Sequence, residues 1–261
     1  MNIRSTNRLF ILAIAMLLWP MLAAAQLNVM ISGGFSGAYR KLLPEFEKAS
    51  GIRVATGSGA SQGGGPQTIA AQLARGVPAD VVILSREGLD DLIAGTRIAA
   101  GTDVNLARVG MGIGVRAGAA RPDVGTVEKF KRAMLDAKAV ATGASTSGIW
   151  LVKELFPRLG IADQVKVKLP ERGSQASGLV ASGDADLVLL PVSEILGAAG
   201  VDYAAPFPAE LQFLQTFSAA ITLGSKQADA GKRLIDFLSS ERASAVIRQS
   251  GMEPLERRAG R

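Results

Sequence analysis

Thr56-Gly57-Ser58-Gly59-Ala60-Ser61-Gln62-Gly63-Gly64-Gly65-Pro66-Gln67-Thr68-Ile69-Ala70-Ala71-Gln72-Leu73 is a glycine-rich corner between two kinds of periodicity. Before it, Ile52-Arg53-Val54-Ala55 is strand-like; after it, Ile69 and Leu73 fall on one face of a helix. Five glycines and two serines in residues 57–65 leave backbone N–H groups uncovered, and the helix that follows adds the positive end of its dipole. A strand, loop and helix in this order make an anion seat. The same glycines also suit a plain surface loop.

The flanks decide the fold. Leu27-Asn28-Val29-Met30-Ile31 reads as a buried strand, and Ser32-Gly33-Gly34-Phe35-Ser36-Gly37 as the turn after it. A helix then places Tyr39, Leu42, Leu43 and Phe46 on one side, with Gly51 just past its end. Beyond the glycine loop the next helix ends near Arg75-Gly76, and Val81-Val82-Ile83-Leu84 is a third strand. Strands alternating with helices specify a parallel sheet covered on both faces. Ligands bind such sheets at the carboxyl ends of the strands. The turns at 33–37, 57–65 and Ser85-Arg86-Glu87 are therefore expected to converge.

Residues 107–115 read as a strand crossing to a second lobe. There, a helix from Val127 to Ala137 leads to a short strand and the polar turn Gly143-Ala144-Ser145-Thr146-Ser147-Gly148, whose hydroxyls suit either a ligand or a helix cap. The strand Val165 to Leu169 precedes Pro170-Glu171-Arg172-Gly173-Ser174-Gln175, a third corner. After Leu187-Val188-Leu189-Leu190, residues 211–223 read as a return crossing, and Lys226 to Gly251 as a helix pair. Two crossings make a hinge.

Composition narrows the chemistry. Arg4 and Arg8, the apolar run from Leu9 to Leu22 and Ala23-Ala24-Ala25 form an export signal with cleavage expected before Gln26, which predicts a periplasmic protein. The formal charge of +6 becomes +4 without Arg4 and Arg8. Its basic residues are scattered and its aromatics few, which argues against a nucleic-acid partner. With no cysteine, stability rests on packing rather than disulfides. With no histidine, His-ligated zinc and Ser-His-Asp chemistry are excluded. No cofactor and no metal is implied.

The stretches Gly76-Val77-Pro78-Ala79-Asp80-Val81, Gly183-Asp184-Ala185-Asp186 and 217–226 resemble the type II periplasmic solute-binding proteins, in their molybdate-binding branch. So does the continuation from Leu234 to Gly251. The resemblance implies an α/β fold of two lobes, each a mainly parallel sheet flanked by helices, with a ligand cleft between them. Lobe 1 is expected at 26–107 and 218–261, and lobe 2 at 108–217. It also implies a monomer that holds a small anion for an ABC-type permease. Carried onto this chain, the contacts are Ser36 in the first corner and Ser58 or Ser61 in the second, with their neighbours Phe35 and Gln62 as further candidates. In the second lobe they are Ser145, Thr146, Ser147 and the backbone near Ser174.

The chain departs from that pattern in three places. Gly34-Phe35-Ser36-Gly37 replaces Ala-Ala-Ser-Leu, the second corner is longer, and Pro191 stands where a ligand-contacting tyrosine is common. Arg86 and Arg172 then suit a larger anion, because guanidinium pairs planar carboxylates bidentately. Arg86 equally suits an ion pair with Glu87 or Asp90. An alternative implied by the same branch is an isomerase that interconverts cis- and trans-aconitate by a 1,3-proton shift. Arg86 and Arg172 would clamp its substrate, and the base would be Glu194, Asp80 or Lys153.

Overall fold

The computed structural model describes residues 26–255, so the export signal expected at 1–25 lies outside them. In chain order, β1 (Leu27–Ile31), α1 (Gly33–Ser50), β2 (Val54–Ser58), α2 (Ile69–Ala74), β3 (Val81–Ser85) and α3 (Arg86–Ala94) realise the expected alternation. β4 (Val104–Val109) and β5 (Met111–Arg116) follow, then α4 (Val127–Asp136), β6 (Val140–Ala141) and α5 (Thr146–Trp150). A π-helical turn, Leu151–Leu155, and a last turn, Phe156–Arg158, extend α5. Next come β7 (Val167–Lys168), α6 (Gly173–Ala181), β8 (Leu187–Pro191), α7 (Val192–Ile195) and β9 (Val201–Pro206). The chain closes with β10 (Gln215–Ile221), α8 (Ala228–Leu238), α9 (Glu241–Gln249) and β11 (Glu253–Pro254).

Two sheets result, in the orders β11-β4-β10-β3-β1-β2 and β7-β6-β8-β5-β9. β1 lies parallel between β2 and β3, as βαβ crossovers require. β10 then enters antiparallel between β3 and β4. In the second sheet β6 is parallel to β7 and β8, while β5 is antiparallel to β8 and β9. The sheets are thus mixed rather than mainly parallel. One crossing strand in each sheet, β10 in the first and β5 in the second, runs against the βαβ strands, so the sheets are mixed where mainly parallel ones are expected.

The expected single crossing at 107–115 is two strands separated by Gly110, β4 in the first sheet and β5 in the second. The return crossing is likewise shorter than expected, since β10 already belongs to the first sheet from Gln215. We therefore place the lobe boundaries at Gly110 and between Pro206 and Gln215, rather than at 107/108 and 217/218. Gln212 ties the two crossings together: Met111 N donates to its Oε1 (2.8 Å), and its Nε2 donates to Met111 O (2.9 Å).

Each lobe has its own core. Helix α1 packs Phe35, Tyr39, Leu42 and Phe46, at spacings of four, three and four, against β1, β3 and β10. It stops at Gly51, whose φ of 72° is the left-handed conformation glycine adopts without a Cβ clash. The second lobe buries Met111, Ile113, Phe130, Met134, Leu189 and Phe207 together. Burying a large apolar side chain stabilises by about 1.5–3 kcal/mol. The buried residues of each cluster come from one lobe alone.

Candidate functional site

The carboxyl ends of both sheets face one cavity of about 560 Å³ between the lobes. From the first lobe, Ile31 and Ser32 follow β1, Ser36 and Arg40 come from α1, and Ser58 to Ser61 continue β2. From the second, Gly143, Ser145 and Ser147 follow β6, Arg172, Gly173, Ser174 and Ser177 open α6, and Ser193 and Glu194 follow β8. Ligand cavities of this fold class form at such strand ends.

The polar lining is short of partners. Five buried side-chain oxygens or nitrogens have no hydrogen-bond partner among the described residues, and four of them line this cavity: Ser32 Oγ, Ser177 Oγ, Ser193 Oγ and Gln215 Oε1. Buried polar atoms are satisfied in the great majority of cases, so this cluster is completed by water or by a ligand in the cavity. Ser32 is the N-cap residue of the 18-residue helix α1 yet makes no capping bond, and it is 3% exposed. Its hydroxyl and the first N–H groups of α1 therefore face the cavity with the positive end of the dipole.

Two guanidiniums join them. Arg40, one turn beyond Ser36 on α1, and Arg172, the N-cap residue of α6, have no ion-pair partner within 4.0 Å among the described residues. Glu194 is the cavity's carboxylate. A Cβ on Gly33 or on Gly173 would overlap its Oε2, so this carboxyl group lies against the first residue of α1 and the first residue of α6 at once. It accepts no hydrogen bond from a described residue. Burial pushes it up to about 7, against the opposing pull of the Arg172 charge. Tyr39, whose OH meets Thr56 Oγ1 at 2.9 Å, is pushed up by burial to about 12 and stays neutral.

Of the residues expected from sequence, Ser36, Ser58, Ser61, Ser145, Ser147, Arg172 and Ser174 line the cavity. Ser36 Oγ donates to Gly33 O (2.7 Å), and Ser61 Oγ accepts from Ser85 N (3.0 Å). Four others do not line it. Phe35 points the opposite way and is 0% exposed in the first core, because position 35 lies on the sheet-facing side of α1. Arg86 begins α3 and is held by Asp90 and Asp103 (2.7 Å to the latter), so the ion-pair alternative is the one realised. Gln62 Nε2 donates to Asp91 Oδ2 (2.7 Å). Thr146 Oγ1 meets Ser85 Oγ across the lobes at 2.8 Å.

The glycine corner also behaves differently from its expectation. Helix α2 begins only at Ile69, and Thr68 caps it by accepting from Ala71 N (3.2 Å), so that helix end is closed within lobe 1. Loop 59–68 instead reaches across the cavity mouth. Gln62 N donates to Ser145 Oγ (3.2 Å), and a Cβ on Gly63 would overlap Ala144 O. Its glycines permit close backbone approach to the second lobe.

Among the alternative bases, Asp80 sits at the opposite, amino ends of β1 and β3 and is filled by donors from Asn28 and Ser225. Lys153 lies exposed in the π-helical turn, away from the cavity. Ser32, Arg40, Ser177, Ser193 and Gln215 were not expected. The signal for two of them was helical spacing: Arg40 falls four residues after Ser36, and Ser177 three after Ser174.

A two-lobed α/β protein with an unpartnered, cationic interlobe cavity is the class that fold and site define. Residues 27–253 match the family described as bacterial extracellular solute-binding protein, and the chain belongs to that family. It is 34% identical over 240 residues to an aconitate isomerase of Pseudomonas sp, covering 90% of this chain and 92% of that one. It is 26% identical over 264 residues to the molybdate-binding protein ModA of Azotobacter vinelandii, covering 95% and 97%. The solved sulfate-binding protein SubI of Mycobacterium tuberculosis H37Rv superposes with a TM-score of 0.70 at 18% identity, covering 88% of this chain and 87% of that one.

Proposed function

We propose that this protein captures a small organic di- or tricarboxylate in the interlobe cavity, outside the cytoplasm, and delivers it to a membrane permease. The observation that carries this reading is the pair of unpaired guanidiniums, Arg40 and Arg172, facing one cavity with four orphaned polar atoms. Guanidinium matches a carboxylate in two parallel bonds, and two of them match two carboxylates. Size points the same way: a water takes about 30 Å³, so a five-atom tetrahedral oxyanion fills only a small part of the 560 Å³ cavity. The leader expected at 1–25 and family membership support export. Titration calorimetry with citrate, tricarballylate, both aconitates, molybdate and sulfate tests the reading. The carboxylates should bind, and Arg172→Ala should weaken them at least tenfold. A protein that binds only molybdate or sulfate would overturn it.

A second reading is favoured by Glu194. It is the one carboxyl group among the described residues that line the cavity, and a carboxyl that titrates near neutrality is suited both to remove and to return a proton. In a 1,3-shift on cis-aconitate, Glu194 would take a proton from the methylene carbon while the double bond moves one position. The proton would then return at the former vinylic carbon, leaving all three carboxylates intact. The similarity to an aconitate isomerase supports this. Proton NMR of the pure protein with cis-aconitate separates the two readings: growth of trans-aconitate signals over a protein-free control identifies an isomerase, and broadening without conversion identifies a receptor.

A further inference from the structure

We propose that Glu194 couples anion binding to proton uptake: its carboxyl group fills the point where the two anion seats of the cavity meet, so a ligand anion enters with one proton added to Glu194. The proposal rests on the receptor reading, in which the cavity binds a small anion, and goes beyond it by assigning a proton to the bound state; a Glu194 protonated on binding does not serve as the base of the isomerase reading.

The geometry carries it. Gly33 is the first residue of the 18-residue α1 in one lobe, and Gly173 is the first residue of the nine-residue α6 in the other. Each helix start presents free N–H groups and a positive dipole end, which makes each a seat for negative charge. Both glycines abut the same Glu194 Oε2, so the protein's own carboxylate stands at both seats. The surrounding hydroxyls of Ser32, Ser177 and Ser193, each at least nine-tenths buried and unpartnered, are open to a ligand at the same spot.

The charges facing Glu194 are few. Arg40 and Tyr39 come from α1, and Arg172 from the start of α6; β2, β8, β10 and the turn at 143–147 contribute no charged or titratable side chain to the lining among the described residues. With Glu194 ionised, the formal charge of the lining is therefore one positive; with Glu194 protonated it is two. A dianion or trianion placed beside an ionised carboxylate pays like-charge repulsion in a poorly hydrated space, and it removes that repulsion by protonating Glu194. The carboxyl already titrates near neutrality before a ligand arrives. A bound anion moves it higher.

The experiment is calorimetry of citrate and molybdate binding from pH 7.5 to 9 in buffers of different ionisation enthalpy, on the native protein and on Glu194→Gln. The native protein should take up close to one proton per anion, with affinity falling up to tenfold per pH unit. Glu194→Gln should take up none, bind with pH-independent affinity, and exceed the native affinity at pH 9. Anion binding without proton uptake by the native protein would overturn the proposal while leaving the anion reading intact. Equal uptake by Glu194→Gln would overturn it too, and assign the proton elsewhere. If neither protein bound either anion at any pH, the anion reading would fail and take the proposal with it. The native measurement stands alone if the variant fails to fold.

Discussion

Asp80 immediately precedes β3 in one lobe and Glu194 lies in α7, just beyond β8, in the other, and the two acids have opposite surroundings. Asp80 Oδ2 accepts from Asn28 N (2.9 Å) and Asn28 Nδ2 (3.2 Å), and its Oδ1 accepts from Ser225 Oγ (2.8 Å). Glu194 accepts from nothing described, lies against two helix starts and faces open space. A buried carboxylate with three donors ties segments together; one without donors raises its own energy and persists only if the site uses it. The contrast separates an acid held by donors from one left free at the cavity.

The sharpest way to break that contrast is to remove Asp80. Asp80→Ala leaves two Asn28 donors and the Ser225 hydroxyl without an acceptor, joining the amino ends of β1 and β3 less firmly to the residues after β10. Each such loss costs about 1–3 kcal/mol, so chemical denaturation should report a total of about 3–5 kcal/mol. Asp80→Asn keeps one acceptor and should lose less. A loss below 1 kcal/mol for the alanine variant would remove Asp80 from the structural class.

Glu194 should respond with the opposite sign. Its folded value near 7 lies above the ordinary value of 4.5, so the folded state binds more protons than the unfolded state between those pH values. Stability from this group is therefore complete below about pH 4.5 and is lost as pH rises to about 7, by about 3 kcal/mol. Glu194→Gln should be more stable than the native protein at pH 8 by up to that amount, and the two should converge at acidic pH. Thermal melts across pH 4.5–8 check this. A destabilised glutamine variant at pH 8 would mean that Glu194 has donors and belongs with Asp80.

A smaller effect tests where the carboxyl group sits. At Gly33 the three atoms nearest an added Cβ all belong to Glu194, the closest at 2.6 Å, and the backbone needs no left-handed conformation there. Gly33→Ala should cost about 1–3 kcal/mol by overpacking, although alanine is otherwise the better helix residue. In a Glu194→Ala background the same change should be neutral or stabilising. A double-mutant cycle with no coupling would place the carboxyl elsewhere.

The fold was readable because hydrophobic period and turn chemistry agreed along β1 to β3 and in the terminal helix pair, and seven of the serines and arginines expected at the site do line it. What sequence did not disclose was direction. Phe35 and Ser36 are neighbours, yet one faces the core and the other the cavity, which only the phase of α1 against the sheet decides. Arg86 and Arg172 both follow strand regions at corners, but Asp90 and Asp103, the latter seventeen residues away, capture the first, and no described residue forms an ion pair with the second. Glu194 was one of three candidate bases until tertiary structure set it against Gly33 and Gly173, which lie 161 and 21 residues away in the chain.

The same limit applies to the glycine loop, and here the expected effect is smallest. The loop looked like an anion seat because glycines expose N–H groups, but the N–H of Gln62 is given to Ser145 of the other lobe. Together with Ser85 Oγ and Thr146 Oγ1 at 2.8 Å, it forms a polar contact across the mouth, opposite the Gln212 crossings. Both residues are buried, Ser85 at 0% and Thr146 at 5% exposure. Opening returns them to water, so the contact adds little net stability, about 1 kcal/mol. Thr146→Val should therefore lower the melting temperature only slightly and shift the lobes toward an open state, visible as a larger radius of gyration by small-angle scattering. Excess ligand should reverse that shift, because a ligand held from both lobes supplies the cross-lobe contacts the valine removes. An unchanged radius would assign closure to the cavity residues alone, and leave the loop's glycines with a packing role.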